Sequence, residues 1–153
     1  MGVNIEHFLF RADRMRHSCG ASVPPQDKPG VIFGTVLSMC AKAGKNKLTF
    51  VTSPALWDLG TWLDQLVAEN TGKEGKGMIP VDGESSRAPV VYRQDRIFGF
   101  IRYEQGIDAT QEAEVKALDE SGHPVIRINV ADLINLGEQF SYVKWRWLGL
   151  CLR

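Results

Sequence analysis

The run Leu48-Thr49-Phe50-Val51-Thr52 passes without a break into Ser53-Pro54. Apolar and β-branched residues held between turn signals read as a strand buried on both faces. A Ser followed by Pro is the N-cap and first-turn chemistry of a helix. A strand that feeds straight into a helix is the unit from which parallel sheets are built, because parallel neighbours need a long crossover. The helix so opened carries Leu56, Leu59, Leu63, Leu66 and Val67 on one face and is closed by Gly72. Three more strands follow at Met78–Val81, Ile97–Tyr103 and Val125–Val130. The last two are separated by a helix from about Thr110 to Glu120, with Ala113, Val115, Ala117 and Leu118 on its apolar side. This order predicts an α/β fold: a mostly parallel sheet covered by helices on both faces, a three-layer αβα sandwich of doubly wound type.

Upstream, Ile5, Phe8, Leu9, Ala12 and Met15 recur at helical steps and predict an amphipathic helix from Val3 to about Cys19. The prolines at 24, 25 and 29 make the next stretch a loop. A second helix is predicted over 29–42, with Gly44 as its cap. Asp132 is placed to open a last helix. The tail from Val143 to Arg153 is apolar to its end, and such a tail packs, meets a partner or is a truncated remnant. The 153 residues suit one domain with its own core.

Charge and cysteine usage narrow the function classes. Eighteen basic side chains face eighteen acidic ones, so no global field steers polyanions, and neither nucleic-acid nor membrane-surface binding is expected. Cys19, Cys40 and Cys151 are widely spaced, with no metal-ligand pattern, which predicts reduced, buried thiols in a cytoplasmic protein without metal. No basic n-region precedes an apolar h-region, and there is no apolar run of spanning length.

Ligands of open parallel sheets bind beyond the carboxyl ends of the strands. That rule selects Ser53, where helix-terminal amides suit a phosphate, and Asp82 and Glu84 in the turn after the second strand. The plainer alternative is that Ser53 only caps its helix. The stretch Glu69-Asn70-Thr71-Gly72-Lys73-Glu74-Gly75-Lys76-Gly77 is not a Walker A loop, because a helix precedes it and a strand follows. It reads either as a solvated connection or as a catalytic element. In the latter case Glu69 is a partly buried carboxylate beside a cleft, its pKa raised so that it can act as a general base.

The run from Gln65 to Glu84 resembles the glucose-6-phosphate isomerase family, and within it the isomerase half of bacterial bifunctional transaldolase/glucose-6-phosphate isomerases. Lys45 to Pro54, Val91 to Phe98 and Gly122 to Ile128 extend the likeness, which covers about 4–140 and leaves 141–153 divergent. The resemblance implies sugar isomerase (SIS) domains and proton transfer between C1 and C2 of an open-chain sugar phosphate through a cis-enediol. It implies Glu69 as the base, Lys73 as a substrate contact, and no cofactor. It also implies what this chain lacks. The family uses two SIS halves, with sites formed at subunit contacts, and this chain resembles only the second, so a homodimer or a complementary half is the implied partner. Ser85-Ser86-Arg87 is too short for the family's phosphate loop. None of His7, His17 and His123 matches the family's ring-opening His; each reads as a helix-surface or turn residue. The family's last helix, with its lysine, has no counterpart in 141–153. The alternative reading is a phosphosugar-binding or protein-interaction module without catalysis.

Overall fold

The structure is a computed structural model that describes residues 4–71, 77–84, 87–133 and 136, with the side chains of 29, 30, 70 and 71 left aside. The backbone falls into two units, 1–39 with 131–153, and 40–130.

The second unit holds a four-stranded, all-parallel sheet. Its strands are β1 (Lys47–Thr52), β2 (Ile79–Val81), β3 (Arg96–Tyr103) and β4 (Val125–Val130), in the order β2-β1-β3-β4. Lys47 pairs with Ile79 on one side and with Arg96 on the other, and Phe98 pairs with Val125. Helix α3 (Trp57–Thr71) links β1 to β2, and α4 (Ala109–Glu120) links β3 to β4. The two links leave the β1/β3 pair in opposite directions. Right-handed crossovers therefore place α3 on one face of the sheet and α4 on the other. This is the αβα sandwich that the strand-helix alternation predicts.

Packing explains the alternation. On the α3 face Leu48, Ile97, Ile101, Val67 and Val130 are completely or almost completely buried. On the α4 face Phe98, Tyr92 and Leu118 form a cluster with Val51 and Val125 against it. Burying each such side chain contributes about 1.5–3 kcal/mol. In α4, Val115 and Leu118 are buried as expected, whereas Ala113 is exposed. Asp108 caps that helix, its carboxylate accepting from the amides of Thr110 at 2.9 Å and Gln111 at 3.3 Å.

In the first unit, α1 (Ile5–Ser18) begins at Asn4, whose side chain accepts from the His7 amide at 3.0 Å. None of its residues is buried, and Ile5 and Leu9 are exposed, so its predicted apolar stripe does not form a buried face here. Helix α2 (Pro29–Lys42), which continues into the second unit, matches its predicted span and buries Phe33 and Leu37. The predicted last helix has only Asp132, Leu133 and Leu136 among the described residues, and the divergent tail lies outside them.

Two expectations are corrected. Cys19 and Cys40 are free thiols of intermediate exposure rather than buried ones, and Cys151 lies outside the described residues. The thiol of Cys40 is pushed above the ordinary cysteine range by partial burial, against the pull of Lys45. Ser53-Pro54 does not open α3 directly, because Pro54–Leu56 makes a single 3-10 turn before the α-helix begins at Trp57.

Candidate functional site

Because β1 and β3 send their crossovers apart, the crevice of this sheet opens beyond their carboxyl ends. Its floor is closed by hydrogen bonds. The Ser53 amide donates to Ile101 O at 3.0 Å, and its hydroxyl accepts from the Tyr103 amide at 2.9 Å. The Gln111 side-chain amide donates to Thr52 O at 2.9 Å. Ser53 is buried, and its side chain makes no capping bond to the following turn. It thus neither caps a helix, as the plainer expectation had it, nor opens onto solvent; it ties β1 to β3.

Beside this floor is a cleft of about 100 Å³ that Thr52, Trp57, Asp82, Glu84, Gln111 and Glu114 help to line. Asp82 follows β2 and is turned toward α3 by Gly83, whose positive φ of 66° a glycine adopts without strain. Its carboxylate accepts from Thr61 Oγ1 at 3.0 Å. A Cβ on Gly60 would lie 2.6 Å from Asp82 Oδ1, so only glycine allows that approach. Desolvation, followed by the nearby charge of Asp82, pushes the Asp64 carboxyl above the usual carboxylate range. Glu84 pairs with Arg96, which also donates to Thr49 Oγ1 at 2.9 Å and lies 5.1 Å over the Tyr92 ring. Three carboxylates, Asp82, Glu84 and Glu114, thus line the cleft, of which Glu84 is paired with Arg96, and the cleft suits hydroxyl donors better than a phosphate dianion.

Glu69 is elsewhere. Helix α3 runs from the carboxyl edge of β1 back to the amino edge of β2, and Glu69 is exposed in its last turn. Twelve residues after Trp57, it stands about 18 Å further along the helix axis. Its expected partial burial is therefore corrected for this chain. The structure brings Asp82 and Glu84 to one cleft, buries Ser53 between β1 and β3, and leaves Glu69 in the last turn of α3. Lys73 lies outside the described residues, as do Ser85 and Ser86.

His7 and His17 are exposed on α1, as read from the sequence. His123 follows a turn as expected, but only 3% of it is exposed, because it packs edge-on against Phe98 and Tyr92. Sequence reasoning also missed Trp57, Gln111 and Glu114. Trp57 and Gln111 lie in the first turns of helices that start at the carboxyl edge, a position the crevice rule could have flagged. Among the described residues, no group of three or more His, Cys, Asp or Glu is placed to hold a metal ion, and no helix is long and apolar enough to cross a membrane.

No protein-family model matches the chain. Over 81 residues it is 32% identical to a glucose-6-phosphate isomerase of Parabacteroides distasonis, a match covering 52% of this chain and 18% of that protein. The relationship to that isomerase is distant and partial. Among solved structures, hypothetical protein TT0462 from Thermus thermophilus matches 97% of this chain and 45% of its own, with a TM-score of 0.76 and 17% identity. That likeness supports the fold. The chain spans less than half the length of either protein.

Proposed function

We propose that this chain is a glucose-6-phosphate isomerase-like SIS domain in which Glu69 is the catalytic base. The similarity to the Parabacteroides isomerase carries the reading. Glu69 takes the proton from C2 of the open-chain aldose phosphate, giving the cis-enediol, and returns it to C1 while a proton passes from O2 to O1. Lys73 supplies positive charge toward the substrate. A base of this kind works best near neutral pKa, which requires a drier setting than the exposed end of α3. A complementary SIS half or a second copy of the chain would cover Glu69 and hold the phosphate, in keeping with the small share of the relative that this chain spans. Ser53 ties β1 to β3, and Asp82 and Glu84 line the cleft.

The test is exchange of solvent deuterium into fructose 6-phosphate, followed by NMR, with binding of 6-phosphogluconate measured by calorimetry. Exchange that falls by about 10²–10⁴-fold in Glu69→Gln supports the base assignment. Folded protein that shows neither exchange nor binding, both when self-associated and when mixed with a complementary SIS half, overturns the reading. The exposure of Glu69 favours a second reading, a non-catalytic phosphosugar-binding module, which predicts saturable 6-phosphogluconate binding with no exchange and no effect of Glu69→Gln.

A further inference from the structure

The two outer strands of the sheet are finished differently. In β2 the Ile79 amide donates inward to Asn46 O at 2.7 Å, so Ile79 faces β1 and Pro80 turns its backbone the other way. The strand has three residues, and the middle one, on the outer side, carries no N–H. A short outer strand with an outward proline accepts no further strand. In β4 the carbonyls of Pro124 and Val130 accept from the Phe98 amide at 2.9 Å and the Glu104 amide at 3.0 Å, so the even-numbered residues face β3. Val125, Arg127 and Asn129 therefore aim N–H and C=O away from the sheet, and no backbone group pairs with them there among the described residues. β4 runs for six residues with no proline and in unbroken register on β3. Its one charge, on Arg127, is paired with Asp119 of α4 at 2.9 Å, which leaves it a weak guard of that flank.

We propose that the β4 flank is an interaction surface for a second copy of the chain, the two β4 strands joining antiparallel across a two-fold axis into one continuous sheet. Self-complementarity selects both the occupant and the register. An antiparallel pair exchanges both main-chain hydrogen bonds where outward-facing residues stand opposite each other. An axis at Arg127 sets two guanidinium groups face to face, which is repulsive. An axis at Ile128 sets Arg127 opposite Asn129 of the second copy, in both directions, and each such pair exchanges both of its main-chain bonds. The Asn129 side-chain oxygen is then a neutral acceptor beside the guanidinium. On the other face the same register brings Ile126 opposite Val130, and Ile128 opposite its own copy, so apolar meets apolar. Ile126 and Ile128 are half-buried, and pairing covers apolar surface that water still reaches. The contact is isologous and stops at the dimer, because Pro80 closes the sheet at both remaining flanks. The proposal stands apart from the isomerase reading, since Glu69 ends the helix that leads to β2, on the opposite flank.

Sedimentation of the full chain over about 1–300 µM tests it. The expected result is a monomer–dimer equilibrium with a Kd of about 100 µM or tighter, and Arg127 and Asn129 amides whose hydrogen exchange slows as the dimer forms. Asn129 is exposed, so its substitutions leave the monomer folded, as circular dichroism should show. Asn129→Glu sets a carboxylate opposite Arg127 and tightens the dimer by about fivefold, whereas Asn129→Arg opposes like charges and weakens it by about as much. Asn129→Pro removes one outward N–H from each copy and weakens the dimer by about tenfold or more. A chain that stays monomeric throughout, or one that forms larger assemblies, overturns the proposal. So does a dimer indifferent to all three substitutions, which would move the contact to another surface such as the apolar tail from Val143.

Discussion

The two edges of the sheet treat their polar groups differently. At the carboxyl edge Ser53, Gln111 and Asp82 all bond to other protein groups. At the amino edge Glu69 faces solvent and the His123 imidazole has a nitrogen without a partner among the described residues, although Lys47 and Asp95 pair there at 2.7 Å. A satisfied group must give up its bond before it can take a ligand, and that release costs about 0.5–1.5 kcal/mol for an ordinary hydrogen bond. The carboxyl edge is accordingly a frame, and the amino edge is where unused bonding capacity lies. The general rule for open α/β sheets points to the first, and the proposed base Glu69 lies at the second.

Paired substitutions test that contrast most strongly. Glu69→Gln should lower any isomerase exchange by about 10²–10⁴-fold while changing stability by less than about 0.5 kcal/mol. A large loss of stability would place Glu69 in the frame instead. Ser53→Ala should do the reverse. It leaves the part-buried Tyr103 amide without its acceptor and costs about 1–3 kcal/mol in urea unfolding, with no effect on chemistry at the other edge. Gly60→Ala is next. The added Cβ crowds Asp82 Oδ1 and approaches Thr52 Cγ2 to 3.0 Å. An overpacking cost of about 1–3 kcal/mol is set against about 1 kcal/mol that alanine contributes to helix stability, so the net loss is up to about 2 kcal/mol. Loss of the Thr61–Asp82 bond would accompany it, and a structure of the variant with that bond intact would contradict this account.

The smallest effect concerns Asp64. Its folded pKa is raised, so ionisation is disfavoured in the native state. The resulting cost is absent below the ordinary aspartate range, grows as pH climbs through the raised pKa, and is complete above it. Asp64→Asn should therefore stabilise the protein at neutral pH by about 0.2–0.5 kcal/mol after solvent screening, and the gain should disappear in acid. A gain that is the same at both pH values would point to a cause other than charge.

The sheet was readable because its strands are dense in β-branched and aromatic residues, and its interior strands are buried on both faces. β1 and β3 emerge within one residue of their expected limits for that reason. Strand order was not readable, since the placing of β3 beside β1 rather than beside β2 depends on pairing across 49 positions. Asp82 and Glu84 were legible as a turn at a strand end. The burial of Ser53 was not, because a hydroxyl before proline looks the same whether it meets a helix amide or the backbone of another strand. His123 was misjudged on similar grounds: Gly122 announces the turn, and only the Tyr92 and Phe98 rings decide that its next residue goes inward.

The β1–β3 ladder also has a temporal side. Lys47 must wait for Arg96, so during synthesis about a third of the chain passes before this central strand can acquire its longer partner. Until then Leu48 and Phe50 have no partner from β3, and the ladder closes only over a long loop, which slows folding. Pulse-labelled hydrogen exchange should find β1 amides becoming protected in the same step as those of β3; earlier protection of β1 would mean that its pairing with β2 forms first.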